Sequence, residues 1–119
     1  MDRGTHLVAE TEWGRIAITS EAIAQIVGHV VAESYGVVGG TRRRGLRRLL
    51  TRDRPTRGVE VRGGNAGLEI ELPVVVEYGL NLAEVASTVR SRVSYEVTRL
   101  TGIPVAGVEV RIEDVRRSR

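Results

Sequence analysis

Cysteine is absent from the chain. That excludes disulfides, thiolate catalysis and cysteine-ligated metal centres, and it leaves the redox compartment open. Phenylalanine is absent too, and the aromatic complement is one Trp and three Tyr. Single-stranded nucleic acid is commonly gripped by stacking on aromatic side chains, so that mode of binding finds few platforms here. There is no lysine either: all 18 basic residues are arginine, a bias that a genome rich in G and C explains without any functional demand. No hydrophobic run approaches the roughly 20 residues of a membrane-spanning helix. Residues 1–12 carry Asp2, Arg3 and Glu10 with no apolar signal core. These absences predict a soluble, non-secreted protein.

What is present is a chain of 119 residues, enough for one domain with one core. Nineteen valines dominate its apolar content, and such β-branched residues pack well between a sheet and helices. The net charge of +3 conceals an asymmetry. Residues 41–57 hold eight Arg and one Asp, a local balance of +7, while the other positions hold ten Arg and fourteen acids, a balance of −4. One basic segment is attached to a mildly acidic body.

The chain is organised around residues 67–79. Leu68, Ile70, Leu72, Val74, Val76 and Tyr78 fall on one side, and Glu69, Glu71, Val75 and Glu77 on the other. Strict period two predicts a strand with one buried face, spanning roughly 35–40 Å at about 3.3 Å per residue. Pro73 belongs to the outward set and cannot donate to a ladder, which predicts an edge position or a bulge near the strand's middle.

Before it, residues 1–12 read as a flexible tail. Arg15-Ile16-Ala17-Ile18-Thr19 follows as a short strand with Ile16 and Ile18 inward. Thr19-Ser20 caps a helix whose buried stripe is Ile23, Ile26, Val27, Val30, Val31 and Ser34, ending near Tyr35-Gly36. The Arg-rich residues 41–57 read as a mobile insert. Val59 and Val61 mark a second strand, and a glycine-rich turn makes a hairpin into the long one. Asn81 caps the second helix, with Leu82, Val85, Ala86, Val89, Val93, Val97 and Leu100 inward, and Thr101-Gly102 stops it. Val108, Val110 and Ile112 face inward from a last strand, and residues 116–119 form a basic tail. The prediction is a single α+β domain over residues 13–115, in the order β-α-β-β-α-β. Two helices pack on one face of an antiparallel sheet of about four strands.

The strings Gly14-Arg15-Ile16-Ala17-Ile18, Glu33-Ser34-Tyr35-Gly36-Val37-Val38-Gly39, Leu72-Pro73-Val74-Val75-Val76-Glu77-Tyr78-Gly79-Leu80-Asn81-Leu82 and Thr98-Arg99-Leu100-Thr101-Gly102-Ile103-Pro104 resemble, in order and spacing, the alkaline shock proteins. These are envelope stress response proteins of Gram-positive bacteria. The Tyr78-Gly79-x-Asn81 junction and the Thr101-Gly102 stop are the most specific pieces. The resemblance implies a role in envelope homeostasis, without catalysis and without a cofactor. It implies a self-associating protein recruited by a separate membrane-anchor protein, hence cytoplasmic and peripheral at the inner face of the cell membrane. No catalytic or ligand residue carries over. The Arg-rich insert is more basic than the family pattern leads one to expect.

Catalytic chemistry finds little support in the residues themselves. His6 lies in the tail, and His29 stands beside an apolar stripe without HxxxH or HExxH spacing. Ser20 and Ser34 serve as helix start and helix end. Gly36, Gly39 and Gly40 follow a helix instead of preceding one and so form no phosphate loop. Glu69, Glu71 and Glu77 share a strand face with Glu60, Glu109 and Glu113, interspersed with Arg15, Arg62 and Arg111. That pattern reads as a solvated outer face or a protein contact before an acid–base pair or a hard-metal site. Arg42, Arg43, Arg44, Arg47, Arg48, Arg52, Arg54 and Arg57 carry the functional content. They allow an assembly contact with a neighbour's acidic face, an anionic membrane surface helped by Leu46, Leu49 and Leu50, nucleic-acid phosphates, or a plain solvated loop. The lack of aromatics ranks nucleic acid below the first two. The sequence therefore predicts a non-enzymatic scaffolding protein of the envelope stress response, with a basic nucleic-acid-binding stress protein as the alternative.

Overall fold

The computed structural model describes residues 6–38 and 58–117. Within them the chain runs β1 (His6–Thr11), β2 (Gly14–Thr19), α1 (Ser20–Ala32), β3 (Glu60–Gly64), β4 (Gly67–Glu77), α2 (Leu82–Thr101) and β5 (Val105–Arg116). The class is α+β, as the sequence predicts. The predicted element order and four-stranded antiparallel sheet are not what forms. Among the described residues β1 and β2 make one two-stranded sheet, and β3-β4-β5 make a second of three strands.

Residues 6–11, expected in a loose tail, are a strand. They pair antiparallel with β2 from His6↔Thr19 to Thr11↔Gly14. Leu7 and Ile18 lie opposite each other and pack on the core. A Cβ on Gly63 would stand 2.8 Å from Leu7 Cδ2, so Leu7 occupies the space that a side chain on β3 would otherwise fill. Farther along the hairpin Ile16, expected inward, is half exposed, because the hairpin outruns the core there.

The second correction concerns β5, which lies parallel to β4 and not antiparallel. A single helix joins the two strands. At 1.5 Å per residue a 20-residue helix returns the chain by about 30 Å, nearly the whole length of β4, so the next strand must start where β4 started. Asn81 starts α2 by accepting from the Glu84 N–H at 2.9 Å. Gly102 ends it in the left-handed region at φ 79, which glycine adopts without steric penalty. Thr19 caps α1 in the same manner, through the Ala22 N–H at 3.1 Å.

The core lies between the three-stranded sheet and the helices. β4 contributes Leu68, Ile70, Leu72, Val74 and Val76, α1 contributes Ile23, Val27 and Val30, and α2 contributes Val85, Val89, Val93 and Val97. These are the inward residues that the periods predict. Tyr78, Leu82 and Leu100, predicted on the same stripes, are exposed: β4 stops at Glu77, and the two leucines lie at the ends of α2 beyond the sheet's cover.

Candidate functional site

The face of the three-stranded sheet opposite the helices is built from charge. Glu69, Glu71 and Glu77 alternate with the buried set on β4 and so share this face. Register brings Glu71 opposite Glu60 on one side and Glu109 on the other, which places three carboxylates in one row across the sheet. Two arginines relieve that repulsion. Arg62 approaches Glu60 and Glu71 at 3.7 Å each, and Arg111 approaches Glu71 and Glu113 at 3.5 Å each. Glu71 is the hub, one oxygen toward each arginine, with its side chain 30% exposed. Exposed pairs of this kind each contribute between zero and about 1 kcal/mol; their consequence is a surface on which opposite charges alternate. Among the described residues no group of three or more His, Cys, Asp or Glu is placed to hold a metal ion.

The roots of the basic segment lie on the same strand. The Val38 N–H donates to the Val75 carbonyl at 2.7 Å, and the Glu77 N–H donates to the Gly36 carbonyl at 2.8 Å, around an antiparallel bridge between Val37 and Val76. Gly58, at φ 80, passes against the Pro73 ring, where a Cβ would meet Cγ at 2.8 Å. β3 then pairs from Glu60↔Glu71 onward. Residues 36–38 and β3 are therefore two pieces of one antiparallel partner running along the same edge of β4. The interruption falls at Pro73, the one position of β4 with no N–H to offer. The sequence predicts an edge or a bulge there. Pro73 sits in the middle strand and not at an edge, at a gap in its partner, and the expected irregularity near the strand's middle is the register shift with β5 at Val74/Val75. Arg42, Arg43, Arg44, Arg47, Arg48, Arg52, Arg54 and Arg57 lie outside the described residues. The described residues on either side of that segment, Val38 and Gly58, lie against Val75 and Pro73 of β4.

The placement of the aromatics does not follow from the periods of the sequence. Trp13, at 88% exposure, and Tyr35, Tyr78 and Tyr95 are all on the surface, so the core contains no aromatic ring. The Arg117 guanidinium lies 4.9 Å from the centroid of the Tyr78 ring, within cation–π range. Tyr95 shares a shallow depression on α2 with Arg90 and Arg99. Arg99 is held above its ordinary pKa by its hydrogen bond to Glu96 and by that carboxylate's charge. The available signal was position: Trp13, Tyr35 and Tyr78 each fall where an element ends. Ser34 fills the structural role expected of it, buried, donating to the Val30 carbonyl at 2.8 Å and meeting Arg92 Nη1 at 3.4 Å.

A family model for alkaline shock protein 23, described as having a cell envelope-related function, matches residues 8–117. The chain belongs to the alkaline shock protein 23 family. Its similarity to the uncharacterised protein YloU of Bacillus subtilis is 33% identity over 110 residues, 89% of this chain and 92% of that one. The uncharacterised protein Spy1614 of Streptococcus pyogenes is 26% identical over 110 residues, 89% and 91% of the two chains. A protein named stress response regulator gls24 homolog, also from Streptococcus pyogenes, is 27% identical over 106 residues. That match covers 87% of this chain but 59% of the relative, so the streptococcal regulator has further sequence that this chain does not match. No solved structure matches the chain. The family relationship implied by the sequence motifs is thus established, including the envelope-related role that describes the family. Among the described residues no helix is long and apolar enough to cross a membrane.

Proposed function

We propose that this chain is a non-enzymatic binding and scaffolding protein of the cell-envelope stress response, self-associating and brought to the membrane region through contacts with other proteins. The observation that carries the reading is the ordered charge network from Glu60 through Arg62, Glu71 and Arg111 to Glu113. It lies on the outer face of the sheet whose central strand, β4, pairs along one edge with the described residues that flank the +7 segment in sequence. A surface of alternating charge selects a complementary protein surface more readily than it performs a reaction. The family's envelope-related description and the naming of the streptococcal relatives as stress regulators support the cellular setting. Capture of partners from a native lysate at low and high salt, with proteins and nucleic acids both identified, tests the reading. Retention of one protein set at both salts is the expected result; retention of nucleic acid alone overturns it.

The local charge of residues 41–57 favours a second reading, a basic nucleic-acid-binding stress protein. Phosphate contacts by six or more arginines would lose roughly a thousandfold or more in affinity between 50 and 200 mM salt, and a duplex titration at those two salts separates this reading from the first.

A further inference from the structure

We infer that two copies of the chain join β5 to β5, antiparallel, about a twofold axis at Val110, extending the three-stranded sheet to six strands. This rests on the self-association in the proposed function and names the surface that performs it.

β5 is the longest strand, with 12 residues, and the outermost of its sheet. Among the described residues nothing pairs with its outer edge. Edges of this kind are commonly blunted by proline, bulges or very short length. Here the register with β4 is regular from Gly107 to Ile112, between two shifts, and the strand contains no proline.

Backbone direction decides which groups that edge offers. Val75 and Glu77 spend a carbonyl and an N–H on residues 36–38, away from β5. Odd-numbered residues in this part of β4 therefore face away from β5, and Pro73, of the same parity, has no N–H at all. Leu72 and Val74 must then make the bonds to β5. In a parallel ladder the residue that lies between two such neighbours gives both its groups to them, and that residue is Arg111, the register partner of Pro73. Glu109 is turned the same way. Val108, Val110 and Ile112 are left with their N–H and C=O groups aimed at the free edge.

The run Val108-Glu109-Val110-Arg111-Ile112 is complementary to itself when reversed. With Val110 on the axis, Val108 falls opposite Ile112 of the second copy and Glu109 opposite Arg111. The Val110–Val110 and Val108–Ile112 pairs become the hydrogen-bonded pairs. Glu109–Arg111 becomes the non-hydrogen-bonded pair, in which side chains approach more closely. Glu109 makes no ion pair among the described residues, whereas Arg111 already belongs to the network centred on Glu71. Pairing therefore supplies each Glu109 with a cation and carries the charge network across the axis. The neighbouring symmetric registers do the opposite. Centring on Glu109 or on Arg111 sets that residue against its own copy, like charge to like charge.

An axis perpendicular to the sheet keeps the helices of both copies on one side. α2 packs over β5 there, and beside Val110 a depression is lined by Ala83, Ala86, Ser87 and Arg90 of that helix. The three small residues leave room for the second copy's helix to approach on their side of the depression, with the Arg90 side chain at its border.

Sedimentation of the full chain across a wide concentration range tests the pairing. The parent is expected to dimerise. E109R and R111E each set like charges opposite one another twice per dimer, and each is expected to weaken association tenfold or more. An equimolar mixture of the two variants is expected to associate again, because every cross-axis pair is then opposite in charge. The double variant E109R/R111E should associate as the parent does. Rescue on mixing cannot come from a damaged fold, and E109R disturbs no ion pair within the described chain. If the parent dimerises while E109R sediments identically to it, or while the mixture stays monomeric, the β5 edge is not the interface and scaffolding acts through another surface. If the parent is monomeric at every concentration, self-association itself is overturned together with this inference.

Discussion

Val76 has no exposed surface and lies between Val37 on one side and Val115 on the other. A carboxylate placed there has neither water nor a cation. Val76→Asp is therefore expected to lose several kcal/mol, a large part of the roughly 5–15 kcal/mol that holds a domain together. Thermal melting reads this directly, and a variant that melts with the parent would mean that the faces of β4 are reversed. Those faces were legible because five apolar residues recur at period two over the full strand, with Glu69, Glu71 and Glu77 among the residues between them. Tyr78, Leu82 and Leu100 obey the same periods and yet face water, since a period says where a residue points and not whether anything covers it. Pro73 was half legible. Its missing N–H said that no acceptor stands opposite, but not that the absent neighbour is a gap between residues 36–38 and β3.

At the scale of elements, what escaped the sequence is what depends on distant partners. β1 has a short apolar run at Leu7-Val8-Ala9, and it becomes a strand because β2 offers a ladder and Gly63 offers a space for Leu7. The parallel setting of β5 was legible in principle from one 20-residue helix between two strands. The charged outer face pointed the other way, because parallel strands are usually covered on both faces. The broken partner of β4 makes a second prediction. Replacing residues 39–57 by a short Gly-Ser linker keeps residues 36–38 and β3 in place along one strand. Shortening a closed loop several-fold alters its closure entropy by about 1–2 kcal/mol, in the stabilising direction. The shortened chain is expected to fold and to melt at or slightly above the parent temperature. Loss of the cooperative melt would mean that residues 39–57 contribute to the core.

For the whole molecule, the charge division was plain in the sequence, and the envelope-related family followed from its motifs. The continuous network around Glu71 and the free edge of β5 were not legible, because both depend on which strands become neighbours. Arg42, Arg43, Arg44, Arg47 and Arg48 replaced together by Ser should leave stability within about ±0.5 kcal/mol, as surface changes usually do. The scaffolding reading expects the same variant to lose captured protein partners. An unchanged capture profile would remove the basic segment from the contact and leave the sheet face to act without it.

The surface position of every aromatic ring has an optical consequence. Trp13 is the chain's single tryptophan, and it is 88% exposed in the folded domain. Its emission should already lie close to that of free indole in water, so denaturant should move the wavelength very little while circular dichroism reports a full transition. Near-ultraviolet dichroism should be weak for the same reason, since a valine core contributes no chromophore. A large red shift on unfolding would place Trp13 in a packed environment, contrary to its exposure here. The converse is useful: in this protein a blue shift of tryptophan emission records another molecule arriving at the hairpin, with folding left almost silent.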